Sequence, residues 1–274
     1  MNAIPLALYV TASGAYAVHF ARPDGTWGPT ATLTLVAGAL AHTFVIGMQT
    51  MQVGHIPFVG TTGAISAFVW LLALAYLYTE MTADERSMGI FLVPLMVVLQ
   101  TIPALGNSVA ARPPVLESRW FEIHVFSLLV AYASLALACV VSVTYVLLFK
   151  ELKAKHPGVF YARLPSLQVL DAMNRRTVGI GWLFLTIGIG VGVIWTAQLQ
   201  PGAVDPRVQA MSPLDPKIFI VVLCWLVYGF GIVARSRLGW GGRRAAWLST
   251  AGFAILLLNF VPIGYFGTET HNFY

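Results

Sequence analysis

The sequence predicts an all-α integral membrane protein with about eight transmembrane helices. Three observations lead there. Apolar residues make up 58% of the 274 and charged residues only 10%, whereas an ordinary soluble domain is about 25% charged. The apolar residues gather into eight runs near the roughly 20 residues that cross a bilayer. The cations collect in alternate loops, as they do when the bilayer sets orientation.

The runs fall at about 3–20, 31–53, 62–79, 88–106, 119–149, 176–199, 217–236 and 244–264. No basic stretch precedes the first run, since Arg22 follows it; this predicts a retained helix rather than a cleaved leader. Pro94 and Pro103 interrupt the fourth run, so a kink or tilt is expected there. The fifth run of 31 residues is about 46 Å long as a helix and overhangs a ~30 Å hydrocarbon core at both ends. Between the fifth and sixth runs, residues 164–174 place apolar side chains at near-helical spacing, with Pro165 suited to a first turn. That pattern predicts a short amphipathic helix on the cytoplasmic surface. The seventh and eighth runs flank a tight basic turn carrying Arg235, Arg237, Gly239, Gly241, Gly242, Arg243 and Arg244. The chain reads as one polytopic domain, 1–274, whose loops are too short for a cytosolic catalytic module.

Orientation follows from the loop cations. Arg22, Arg86, Lys150, Lys153, Lys155, Arg163, Arg175, Arg176, Arg235, Arg237, Arg243 and Arg244 share one side, twelve against Arg112, Arg119, Arg207 and Lys217 on the other. The rich side is expected to be cytoplasmic, with both termini outside, in a bacterial cytoplasmic membrane. The net charge of +5 is therefore topology, and no nucleic-acid partner is expected. The two cysteines, Cys139 and Cys224, lie inside apolar runs without a CxxC or CxxCH pattern. That argues against a thiol–disulfide exchanger, a thiolate zinc site and a c-type cytochrome.

This topology sorts the six histidines. His19 and His156 fall at the cytoplasmic boundary and His42 near the middle of the second helix. His55, His124 and His271 fall at the outer face. Two imidazoles can flank one metal, and neutral imidazole ligates haem iron. Trp120, Phe121, Phe126 and Trp195 supply flat apolar groups nearby, and outer cations such as Lys217 suit propionates. An aromatic belt is equally expected of any membrane protein, so haem ligation stands as one reading of this face among several. His42 at mid-bilayer suggests function by default; it reads as a ligand, a relay, or a neutral ring bonded to a neighbouring Ser, Thr or Gln.

Three blocks resemble the cytochrome c assembly family of membrane haem-handling proteins. One is Ile123-His124-Val125 followed by Leu129-Val130-Ala131-Tyr132. The second runs from Leu164-Pro165-Ser166-Leu167 through Asp171 and Asn174 to Gly192-Val193-Ile194-Trp195. The third holds Asp215-Pro216-Lys217, Trp225, Tyr228, Arg235, Gly239 to Trp247, and His271. The match covers 120–274 well and the first hundred residues only loosely. The resemblance implies haem b held at the outer face between His124 and His271, as axial ligands, with His55 and His42 as weaker candidates. It makes Asp215, Lys217, Trp120 and Trp195 the surrounding cofactor-binding residues, beneath a loop from Gln198 to Lys217. It implies haem as cargo, and apocytochrome c or another assembly membrane protein as partner.

Two departures stand out. Leu214 and Ile218 replace the Trp and Glu that flank Asp-Pro-Lys in the family's haem lyases, and Val233 stands where they carry an intramembrane histidine. These move the chain toward the eight-helix HemX-like or CcsA-like branch. It is expected to be a carrier or one component of a haem lyase rather than a catalyst alone. The alternative is a non-enzymatic regulator or assembly subunit. A transporter with His42 on its path ranks last, because no inverted repeat or paired intramembrane carboxylate is visible.

Overall fold

A computed structural model describes residues 1–22, 25–58, 60–106, 118–155, 158–198 and 216–258, with only the backbone of Val159, Phe160 and Pro216. The described residues form nine helices and no strand. They are α1 (Ala3–Ala21), α2 (Trp27–Val53), α3 (Thr61–Ala83), α4 (Gly89–Leu105), α5 (Arg119–Lys153), α6 (Val159–Arg163), α7 (Leu167–Gln198), α8 (Pro216–Arg237) and α9 (Gly242–Leu258). Six of them, α1, α2, α3, α5, α7 and α8, are long and apolar enough to cross a membrane. Helix α4 is shorter, and it carries Pro94 and Pro103 within its seventeen residues.

The fold is organised around α5. Its sequence is apolar on every side, the pattern of a helix buried all round. Its buried residues run from Phe121 to Leu148, and α7, α9 and α3 pack on it. Helices α5 and α7 run antiparallel. Leu128 lies against Gly188 and Leu135 against Gly181, while the Asn174 amide reaches Ala138 and Ser142. Without a hydrophobic driving force between helices in lipid, small residues and side-chain hydrogen bonds must supply the close fit. Asn174 does this for three helices at once, because its Nδ2 also lies 3.2 Å from Ser249 Oγ on α9. On the other flank, Trp182 of α7 stacks on Trp225 of α8 at 5.7 Å. Each indole N–H is satisfied across that seam, Trp182 by the Trp225 carbonyl and Trp225 by the Thr186 hydroxyl.

A second layer comprises α1 to α4. Tyr9 of α1 packs into the space left by Gly38 of α2, and Asn2 donates to the Pro103 carbonyl of α4. The turn after α2 rejoins the first layer through Phe58, whose ring stacks on Phe126 of α5 at 6.2 Å.

The segment 164–174 does not form a separate surface helix. It supplies the first turns of α7, which is continuous from Leu167 to Gln198. Ser166 caps it by accepting from the Val169 amide. The buried set Leu170, Met173, Thr177, Val178 and Gly181 keeps helical spacing straight through Arg175 and Arg176. Those arginines interrupt the apolar run, but charge alone does not break a helix.

Candidate functional site

His124 stands about five residues into α5, beside the last third of α7. Its Nδ1 lies 2.7 Å from the Gly188 carbonyl oxygen. A carbonyl only accepts, so Nδ1 carries a proton, and in the neutral form of the ring the lone pair is then on Nε2. That is the arrangement in which a backbone carbonyl orients a metal-ligating histidine. Gly192, one turn further along α7, makes the approach possible. A Cβ there would sit 2.7 Å from both Nδ1 and Cε1 of the imidazole. The next turn brings Trp195, buried and stacked on the His124 ring at a centroid distance of 6.4 Å. Phe121 also packs on Trp195, at a centroid distance of 5.2 Å.

The other predicted site residues distribute as follows. Trp120 lies in the first turn of α5 and is 39% exposed. Lys217 is in the first turn of α8. The antiparallel register defined by Trp182 against Trp225 and Asp171 against Arg235 puts it level with Gly190 to Gly192. His55 lies in the turn after α2, three residues before the Phe58 that reaches α5, with Nδ1 3.1 Å from the Ile56 carbonyl. Asp215 and His271 lie outside the described residues, as do most of the 198–217 loop and His156. Helix α9 runs antiparallel to α8, since Tyr228 meets Ser249 and Cys224 meets Gly252. Its last described residue, Leu258, therefore points toward the His124 end.

His42 is fully buried and engaged through both nitrogens. Nδ1 lies 3.1 Å from the Tyr9 hydroxyl and Nε2 lies 2.9 Å from Ser66 Oγ. The bonded-ring alternative is thus the arrangement present, with Ser66 as the neighbour. Among the described residues no three His, Cys, Asp or Glu side chains cluster in a way that would hold a bare metal ion.

Sequence reasoning missed two features. The first is Glu80, which is 2% exposed near the end of α3. It accepts from Tyr16 Oη at 2.5 Å and from Thr32 Oγ1, with Arg86 Nε 3.8 Å away. The apolar run 62–79 ends one residue short of it, so it reads as a loop acid. The second is a meeting of two motif blocks at the end opposite His124. Arg235 of α8 donates through Nη2 to Asp171 Oδ1 of α7 at 2.6 Å. Gly242 closes over the pair, its Cα so near that an added Cβ would lie 2.6 Å from Tyr145 Oη and 2.8 Å from Asp171 Oδ1. Arg86, Arg176, Arg235 and Arg243 all make their contacts at this end.

Fold and site together define a multi-pass α-helical membrane protein with one oriented, half-buried histidine near one end of its central helix pair. The model of the cytochrome c assembly protein family matches residues 30–271, and the chain belongs to that family. Its similar relatives include the cytochrome c biogenesis protein CcsA of Guillardia theta, 22% identical over 87% of this chain and 83% of the relative. The CcsA of Synechococcus sp. (strain CC9902) is 24% identical over 99% and 91%. That of Chlorella vulgaris is 25% identical over 80% and 78%.

Proposed function

We propose that this chain is a haem-handling protein of cytochrome c maturation, with eight spans in the bacterial cytoplasmic membrane and both termini outside. Haem b is its cargo at the outer face. His124 would ligate the iron through Nε2 and His271 would take the opposite axial position. Trp195 and Phe121 would supply an apolar wall, Trp120 an outer edge, and Lys217 with Asp215 would shape the loop above. The bound haem would supply the vinyl groups to which an apocytochrome Cys-x-x-Cys-His segment is joined. The protein's own task is to hold and orient.

One observation carries this reading. The hydrogen bond from His124 Nδ1–H to the Gly188 carbonyl fixes the tautomer a haem ligand needs, and Gly192 clears the space the ring occupies. Residues that only fill a core do not require that combination. Family membership and the CcsA relatives agree with it. The test is the absorption spectrum of protein purified from haem-replete cells. A Soret band that disappears in both His124→Ala and His271→Ala is expected. A wild-type protein with no Soret band overturns the proposal.

A further inference from the structure

We infer that the cleft beside the Arg235–Asp171 pair binds the phosphate headgroup of an anionic membrane lipid. The cleft has a volume of about 400 Å³ and is lined by Tyr145, Leu167, Gln168, Asp171, Arg175 and Gly242. That volume lies within the roughly 300–1,000 Å³ typical of small-molecule sites. Its electrostatics favour an anion. The carboxylate of Asp171 is already matched by Arg235 at 2.6 Å. Arg175 is an exposed guanidinium without an ion pair among the described residues. Arg243 stands beyond Tyr145, over the Phe149 ring on which Tyr145 stacks. The local balance is therefore positive, with a planar guanidinium, an amide and a phenol positioned around one opening. These are donors suited to a phosphodiester's two free oxygens.

The position selects a lipid over a soluble anion. Leu167 forms an apolar part of the rim. Trp247, less than two turns into α9, and Leu238, beside the turn, are both more than half exposed, as interfacial anchors are. The cleft thus opens where the lipid-facing surface gives way to cations. Lipid phosphates are concentrated at that depth, and clefts with cationic linings between spans capture them.

The test is native mass spectrometry of the full chain, purified in mild detergent and offered equal amounts of phosphatidylglycerol and phosphatidylcholine. Wild type is expected to retain phosphatidylglycerol preferentially. Arg175→Gln should reduce that preference about fivefold, the worth of one interfacial cation, and Gln168→Ala should reduce it less. Arg237→Gln removes an exposed cation at the same end but outside the cleft, and should leave the preference unchanged. Equal losses in Arg175→Gln and Arg237→Gln would mean a diffuse basic surface and would overturn the site. So would a preference unaffected by Arg175→Gln. If millimolar inorganic phosphate displaces the lipid completely, the site takes free phosphate and the lipid assignment fails. All three substituted side chains are exposed, so the variants are expected to fold.

Discussion

The two ends of the α5–α7–α8 bundle solve opposite problems with the same helices. At the Arg235 end, side chains satisfy one another. Asp171 takes Arg235, Asn174 bridges to Ser142 and Ser249, and Tyr145 packs on Gly242. At the His124 end, the backbone positions a side chain instead. A carbonyl of α7 holds Nδ1, and a glycine one turn on gives the ring its place. A structural cluster turns its polar groups inward, because unpaired polarity in a membrane costs several kcal/mol. At the proposed binding residue, His124, the backbone of a neighbouring helix orients the ring. The contrast separates the end that holds the fold together from the end proposed to handle cargo.

The sharpest way to break the contrast is His124→Ala. It should abolish haem absorbance while leaving the unfolding free energy within about 1 kcal/mol of wild type, since the side chain is only half-buried. A large stability loss with haem retained would reverse the roles of the two ends. Next in size is Gly192→Ala. The added methyl would push the imidazole off Gly188, and haem affinity should fall about tenfold or more, as when an orienting partner is lost. Haem titration of the apoprotein measures it. Arg235→Gln should act the other way, leaving haem affinity unchanged. The pair is neither fully exposed nor fully buried, at 16% and 36% side-chain exposure. The loss should therefore be about 2 kcal/mol, between the values for surface and buried pairs. A double-mutant cycle with Asp171→Asn checks that the coupling belongs to this pair.

The spans were legible because the bilayer imposes one strong rule on sequence, long apolar runs, and α1, α2, α3, α5 and α8 follow it closely. The start of α7 was not, because Arg175 and Arg176 ended the apolar run without ending the helix. At the site, His124 and Trp195 were legible as residue types at one depth, and the structure stacks them. Gly192 was legible only as a member of the block that ends at Trp195, and Gly188 not at all, because their role lies in what they leave out: a carbonyl left accessible and a Cβ left absent. Glu80 was missed for a related reason. Its donors Tyr16 and Thr32 come from two other helices, and no periodicity within α3 announces them. His42 shows the intermediate case: a Ser, Thr or Gln neighbour was anticipated and Ser66 fills that place, whereas Tyr9, 33 positions away, carried no pairing signal.

The smallest expected effect sharpens the comparison most, because it repeats one substitution at the opposite end. Gly242→Ala would place a methyl against Tyr145 Oη and Asp171 Oδ1. Overpacking of this kind costs roughly 1–3 kcal/mol. Against it stands a gain of about 0.5–1 kcal/mol, because Gly242 opens α9 and alanine is the better helix former. The backbone at 242 has no positive φ, so no conformational strain adds to the clash. The net loss should be about 1 kcal/mol, read as a lower unfolding midpoint, with haem affinity unchanged. Its mechanism has a specific signature: the Asp171–Arg235 coupling should shrink in the Gly242→Ala background, because the methyl displaces the carboxylate. If instead Gly242→Ala lowers haem affinity as much as Gly192→Ala does, the two ends are energetically one unit, and their division into fold and cargo fails.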